Sequence, residues 1–490
     1  VRINVKGHAH HSSRAPDVAP GHVPVYSLGS MSSPLHTTDL EGPQTNRELY
    51  RSLVTLAVPI MLNNLLQMLY NLVDAWFLGK IGAAAVSAPT ISFTLIFFLV
   101  VFGMAFSMAG TTLIAQSKGR GDMDRANFYA GQTTSILFVM SVAISIIGLI
   151  ATPTLLRVMQ VPQEAFEYTR QYMTIIFAGL PFMFVSFLLR AVLQGVGDSV
   201  TPLIVQIVTI LLNVVLDPIL IFGWGPIPAL EVAGAAYATV FARLVAAFIS
   251  AWILIRGRKG IRLSLANMKP DRQAIKRIAS IGLPSAIGQA VPAFGFTVLQ
   301  SIVNTLGTSV VAAFGIGNRI VSLFNMPAIG FSQATTSIVG QRLGAGRKDQ
   351  AITAVKQSIL TVFVFIATGM TLAFFFGSSF VRFFVDEPDV IAYGQQLFRI
   401  LSPSVVIFAL FTVSIGAFQG GGDTKPVMVL NVTRLWGIRV PLAYLLALGL
   451  SWGPVGIWWA MFASNLVIAI AGFLWLSRGH WLHKIDPATI

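Results

Sequence analysis

The sequence predicts an all-α integral membrane protein, with twelve transmembrane helices arranged as two six-helix bundles related by a parallel repeat. Three observations lead there. The chain of 490 residues is 55% hydrophobic and only 11% charged, with a mean hydropathy of +0.74; a soluble domain carries about twice that charge. Its apolar blocks reach 20 residues or more, enough to cross roughly 30 Å of hydrocarbon. Segments of the first half return in the second at one fixed offset of 225 residues.

Residues 1–46 are polar and rich in Pro, Ser, Gly and His, and they read as a disordered tail. The tail has no apolar signal-peptide region, and Met31 offers an internal start. Its "GHAHHSS" is a weak metal-binding candidate beside the plainer reading of a polar tail. Apolar spans then follow at 53–77, 86–114, 128–151, 171–192, 202–223 and 232–255, and at 279–304, 310–334, 353–377, 397–417, 427–448 and 455–476. The long 86–114 block tilts or extends past the bilayer. The expected organisation is an N-terminal lobe over 47–255, a basic linker over 256–277, a C-terminal lobe over 278–476 and a tail over 477–490.

Orientation follows from the connections. One alternate set holds Lys118, Arg120 and Arg125, the basic run from Arg256 to Arg277, then Arg342, Arg347, Lys348 and Lys425. The other set holds only Lys80, Arg157, Arg170 and Arg382. The positive-inside rule puts the basic set and both termini in the cytoplasm. The formal charge of +14 is thus topological and implies no nucleic-acid partner. With no cysteine, disulfides and thiolate sites are excluded. All seven histidines lie outside the apolar blocks, so a buried histidine relay or haem ligation is absent.

The offset of 225 aligns Pro59 with Pro284, and it carries Gln116, Gly119 and Gly121 onto Gln341, Gly344 and Gly346. It also lays "QGVGD" (194–198) on "QGGGD" (419–423). Two halves of six spans enter the membrane in the same sense, so the repeat axis lies along the membrane normal. That plan predicts a V-shaped pair of bundles rocking about a central cavity, the arrangement of an alternating-access transporter. No pore ring or filter motif marks a channel.

Only Asp74 and Asp217, of nineteen acidic residues, fall clearly within spans. Each lies five or six residues before the outer end of its span, so both sit roughly 8 Å below the outer boundary. Tyr70 and Asn213 lie one turn deeper on the same faces. Buried like charges either share a proton or ionise around a cation, which is what an antiporter requires. The competing reading has Asp217 capping a backbone break while Asp74 snorkels outward. Pro59, Pro181, Pro218 and Pro284 are hinge candidates, since proline removes a helix hydrogen bond. Gln67, Gln289 and Asn304 are candidates for lining a substrate cavity. In the second half Asp74 corresponds to Leu299 and Asp217 to Pro441, so any carboxylate coupling is asymmetric. Arg243, Arg319, Arg434 and Arg439 read as structural pins, with contact to an anionic ligand the alternative. Asp198 and Asp423 read as caps of glycine-rich turns.

Taken together, "LAVPIMLNNLLQMLYNLVDAWFLGKIG", "AQSKGRGD", "LLRAVLQGVGDSVTP", "LNVVLDPI", "VAGAAYATV", "GQRLGAGRKD" and "GAFQGGGDTKP" resemble the multidrug and toxic compound extrusion (MATE) family, in its DinF-like prokaryotic branch. The resemblance covers residues 47–476. It implies a monomeric twelve-helix antiporter, not an enzyme, that exchanges H⁺ or Na⁺ for bulky, mostly cationic compounds. Such a protein would sit in the lipid of a prokaryotic cytoplasmic membrane and carry no bound cofactor. The resemblance maps the coupling residues to Asp74, Asn213 and Asp217, with Tyr70 beside them, and any Na⁺ to the same three polar side chains. The acidic residues that NorM-like relatives carry in their C-terminal half are missing here. A lipid-linked oligosaccharide flippase of the wider superfamily is the alternative, although it would be expected to need a basic cavity.

Overall fold

The structure, a computed structural model, describes residues 44–484, apart from the side chains at positions 83, 84, 94 and 95. The expected tail therefore lies outside the described residues up to position 43, as do 485–490. The described chain is helical: α1 (Asn46–Gly79), α2 (Ala83–Gly119), α3 (Met123–Val158), α4 (Gln163–Gly195), α5 (Val200–Phe222), α6 (Glu231–Arg256), α7 (Arg272–Asn304), α8 (Thr308–Gly344), α9 (Lys348–Arg382) and α10 (Pro388–Gly420). It continues through α11 (Lys425–Val432), α12 (Val440–Ala443) and α13 (Pro454–Ser477). Eleven of these helices are long and apolar enough to cross a membrane. The twelfth crossing is the run from Lys425 to Gly449, where π-helix at Thr433–Arg439 and Tyr444–Gly449 interrupts α11 and α12. Helices suit the bilayer because each satisfies its own backbone polar groups.

Local chemistry sets the helix starts. Thr45 caps α1 in a reciprocal box with Glu48: the Glu48 N–H donates to Thr45 Oγ1 at 3.3 Å, and the Thr45 N–H donates to Glu48 Oε2 at 2.8 Å. Asp271 caps α7, accepting from the Ala274 N–H at 2.8 Å. That cap shortens the expected linker, because Arg272, Lys276 and Arg277 lie on the first turns of α7 rather than in a loop. A 3₁₀ turn at Leu265–Met268 docks on α3, where the Gln132 amide donates to the carbonyls of Asn267 (2.8 Å) and Lys269 (2.6 Å). The expected C-terminal tail is partly packed, since Trp481 is buried against Val339, Val355 and Phe418.

Asp198, in the turn between α4 and α5, accepts the N–H groups of Val200 (3.1 Å) and Thr201 (3.0 Å) and pairs with Arg258 at 3.0 Å. Burial opposes its charge, but the Thr201 N–H, the Thr201 hydroxyl and the Arg258 guanidinium outweigh it and hold its pKa below the ordinary carboxylate value. Asp198→Asn keeps a capping acceptor but removes the charge that Thr201 and Arg258 bond to, and is expected to cost about 1 kcal/mol at neutral pH. A depressed folded-state pKa stabilises above the unfolded value of about 4, and the gain is lost as pH falls through the folded value. The difference in Tm between wild type and variant should therefore close on acidification. A difference independent of pH would show that the turn needs only the shape of the side chain.

Two bundles form, α1–α6 and α7–α13, and they meet where α1 packs on α8 and α2 packs on α7 and α8. The first helix of each bundle begins inside the other. Leu49, Leu53 and Leu56 of α1 are buried in the core of the second bundle. Ala274, Ile278 and Ile281 of α7, at the repeat-related positions, are buried in the core of the first. The division expected at 255 and 278 therefore follows the chain but not the packing.

Cross-bundle hydrogen bonds gather at the face that carries Asn46 and Ser477, here the terminal face. Gln116 Nε2 donates to the Gly420 carbonyl at 2.7 Å, and its repeat mate Gln341 donates to the Gly195 carbonyl at 2.8 Å. Thr112 Oγ1 donates to the Gln419 carbonyl at 2.8 Å, and Ser337 donates to the Gln194 carbonyl in the mirrored bond. Between them the helices touch backbone to backbone at Gly119 and Gly344, where glycine allows the closest approach.

Candidate functional site

α1, α5 and α6 share a corner of the first bundle. Asp74 and Asp217 each lie five residues before the end of their helix, at Gly79 and Phe222, so α-helical rise brings them to one depth. Their carboxyl groups are direct neighbours, and Asp74 also adjoins the Tyr70 hydroxyl. Asn213 Nδ2 donates to Asp217 Oδ1 at 3.2 Å, one turn apart on α5. The Tyr70 and Thr239 hydroxyls share a hydrogen bond of 2.7 Å from α1 to α6. Tyr70, Asn213 and Asp217 are buried.

Three oxygens in this corner are buried with no hydrogen-bond partner: Asp74 Oδ1, Asp217 Oδ2 and Asn213 Oδ1. Unpaired buried acceptors are costly. A proton shared between the two carboxyl groups would relieve that pair, and a hard monovalent cation could take oxygens from all three side chains. Arg243 of α6 lies within electrostatic reach of Asp74, and Arg190 of α4 lies close to Arg243. Two carboxyl and two guanidinium groups thus lie in the interior of this bundle, and one added proton or monovalent cation would raise the charge of that cluster by one.

The structure brings together Tyr70, Asp74, Asn213 and Asp217, the four residues the sequence singled out. Thr239 and Tyr172 also belong to the cluster, and sequence reasoning missed them. Thr239 had a usable signal, standing one turn before Arg243 on the same face of α6.

The expected cavity residues are not gathered. Gln67 Oε1 accepts from Gln206 Nε2 at 3.1 Å within the first bundle. Gln289 is exposed midway along α7, and Asn304 ends that helix about 22 Å further on. The four expected hinge prolines lie inside continuous helices. The broken backbone is elsewhere, at Phe376 of α9 (φ −107°, ψ 17°) and in the two π-helical stretches.

In the second bundle the corresponding corner is positive. Arg439 is buried, donating to Ser464 Oγ at 2.9 Å and Asn465 Oδ1 at 2.5 Å. Arg434 sits 4.1 Å over the Phe408 ring and close to Arg439. Five residues apart, they would lie about 140° apart on an α-helix; the wider π-turn brings them toward one side. Arg439 is thus pinned to a partner helix, as expected. Arg319 is exposed.

Against known proteins, the family model described as MatE matches residues 59–219 and 284–445, two stretches that begin at the repeat-related prolines. The probable multidrug resistance protein YoeA of Bacillus subtilis (strain 168) is 28% identical over 88% of this chain and 95% of its own length. The probable multidrug resistance protein NorM of Thermotoga maritima is 28% identical over 89% of this chain and 93% of its own. Among solved structures, a multidrug resistance MATE family transporter of the MOP superfamily, described as outward-facing, superposes with a TM-score of 0.82. It is 26% identical, and the match covers 91% of this chain and 100% of that one.

Proposed function

The chain belongs to the MatE family, and on that premise we propose that it is an antiporter that expels bulky organic compounds, mostly cationic, in exchange for H⁺ or Na⁺. Members of this family are membrane transporters and not enzymes. The observation that carries the coupling reading is the set of three unpaired oxygens on Asp74, Asp217 and Asn213. One proton or cation placed there neutralises the repulsion between adjacent carboxylates and changes the charge of the first bundle. Substrate and coupling ion compete by favouring different charge states, so the binding of one promotes release of the other.

The terminal face is proposed to be cytoplasmic, supported by the basic residues of its connections. Cross-bundle bonding at that face then corresponds to a state closed to the cytoplasm and open outward. The alternative, a flippase for lipid-linked sugars, gains no support from the relatives' names. Exposed Arg319 offers the anionic end of a zwitterionic drug a partner, so zwitterions belong in the substrate panel.

Purified protein in proteoliposomes, given pH and Na⁺ gradients separately, tests the function. Uptake of an organic cation driven by one gradient is the expected result; scrambling of lipid-linked sugars with no cation transport would refute the reading. Orientation is tested by membrane-impermeant labelling. Exposed Lys259 and Lys276 should react in inside-out vesicles and stay unlabelled in right-side-out ones.

A further inference from the structure

We propose that the terminal face carries a binding site for the phosphate headgroup of an anionic phospholipid, in the groove between the first turns of α3 and α7. A cavity of ≈ 480 Å³ opens there, lined among others by Arg125, Phe128, Tyr129, Asp271, Lys276 and Arg277. Its size falls in the range of small-molecule sites. The charge inside is unbalanced, with three cations facing one carboxylate. That carboxylate, of Asp271, is already engaged as the cap of α7.

The groove is built rather than incidental. Arg277 Nη1 donates to the Tyr129 hydroxyl at 3.1 Å, so one guanidinium is set against an aromatic wall. Arg125 lies over the same wall, 5.8 Å from the Phe128 ring and 5.9 Å from the Tyr129 ring. The Gln132 side chain fixes the rim, accepting from the Asp271 N–H at 2.9 Å while its amide holds the carbonyls of Asn267 and Lys269. Two helix N-termini, those of α3 and α7, lie at this end, and their dipoles add positive potential for an anion.

The groove also has the polarity profile of a lipid. The cations lie in the first two turns, at the membrane–water boundary where headgroups lie. One to two turns further into the span, α7 exposes Leu283, which is 46% accessible, an apolar surface for the start of an acyl chain. Basic pockets between helix ends at this depth suit anionic headgroups.

Its position gives the site a consequence. α3 belongs to the first bundle, and α7 is the first helix of the second, held at its start in the first bundle's core. A headgroup bridging Arg125 of α3 to Lys276 and Arg277 of α7 reinforces the seat of α7's first turns on the first bundle. The choice of leaflet rests on the orientation proposed above; the existence of the groove does not.

The experiment reads lipid retention and needs no transport. Wild-type protein in mixed vesicles of phosphatidylglycerol and phosphatidylcholine is extracted, and the lipid that stays bound is measured by native mass spectrometry. The comparison is Arg125→Gln with Lys276→Gln, two exposed side chains whose loss leaves the Arg277–Tyr129 bond and the helix caps intact. Unchanged Tm of the double variant serves as the folding control.

Wild type should retain phosphatidylglycerol over phosphatidylcholine, and the double variant should lose roughly fivefold of that preference per cation removed. Arg125→Lys should keep it. Equal retention of the two lipids by wild type, or an unchanged preference in the double variant, would overturn the site. Displacement of phosphatidylglycerol by inorganic phosphate alone would reassign the groove to a soluble phosphate compound and overturn the lipid. Failure of antiport in the earlier assay leaves each of these outcomes readable.

Discussion

Asp217→Asn and Asp74→Asn are each expected to reduce gradient-driven efflux to the background of protein-free vesicles. Asparagine keeps the size of the side chain and one carbonyl acceptor, so the corner formed by α1, α5 and α6 should still pack. What it removes is the exchangeable charge. In Asp217→Asn, the neighbour Asp74 no longer faces a second carboxylate, and the pair loses the ability to share a proton or enclose a cation. Each variant holds its carboxyl position in the equivalent of the protonated state, so the substrate that remains bound should no longer be released in competition with H⁺ or Na⁺. Asn213→Ala should weaken coupling less, since it removes one of the three unpaired oxygens and neither charge. Tyr70→Phe removes the 2.7 Å bond to Thr239 and should affect rate more than the stoichiometry of exchange. The decisive measurement is efflux in proteoliposomes under imposed H⁺ and Na⁺ gradients, with each variant checked for folding. Normal efflux from well-folded Asp217→Asn and Asp74→Asn under both gradients would leave these residues a structural role only.

Gly119→Ala is expected to prevent closure of the terminal face and to stop transport while leaving both bundles folded. A Cβ at Gly119 would lie 1.9 Å from the Gln341 carbonyl oxygen, and one at Gly344 would lie 2.0 Å from the Gln116 carbonyl oxygen. The obstructing atoms are backbone, so no rotamer change relieves the clash, and the bundles must separate. Gly344→Ala should behave alike because the contact is repeated about the pseudo-axis. The chain contains no cysteine, so a spin-label pair at exposed, repeat-related Asp124 and Asp349 can be introduced without background. Wild type should give a dominant short distance, and the glycine variants a longer, broader one. If Gly119→Ala kept the wild-type distance and full transport, the terminal-face contact would have no part in the cycle.

Much of this was legible before any coordinates. Hydropathy alone separates membrane from soluble, because twenty apolar residues in a row have a single common use. Span 427–448 was legible as a crossing, but its π-helical breaks were not. The composition of "TRLWGIRVPLAY" does not distinguish a five-residue from a four-residue hydrogen-bond step, and the bonds of Arg439 to Ser464 and Asn465 across the bundle emerge only from the packing. Asp74 and Asp217 stood out because an acid in a span is costly enough to be rare. Their equal depth could be counted from the helix ends. Thr239 could not be placed beside Tyr70 in the same way, since a hydroxyl on a helix is inexpensive and 169 residues separate the two. The cavity set of Gln67, Gln289 and Asn304 is not gathered at one place for a related reason: polarity marks a residue as unusual in a span without fixing its depth or face.

The sequence by itself determined that this is a twelve-span membrane protein with a parallel internal repeat, and that two acids share one depth in its first half. Each of these rests on local cost, whether of apolar length, of fixed offset or of buried charge, and local cost can be read along a chain. Only the tertiary structure decided that α1 and α7 each begin in the other bundle's core. It alone decided that Gln116 and Gln341 exchange symmetric bonds across the terminal face, and that α3 and α7 enclose a basic groove. Helix rotation and crossing set those contacts. Lipid tails are as apolar as the leucines they touch, so hydropathy cannot say which apolar face meets protein and which meets lipid.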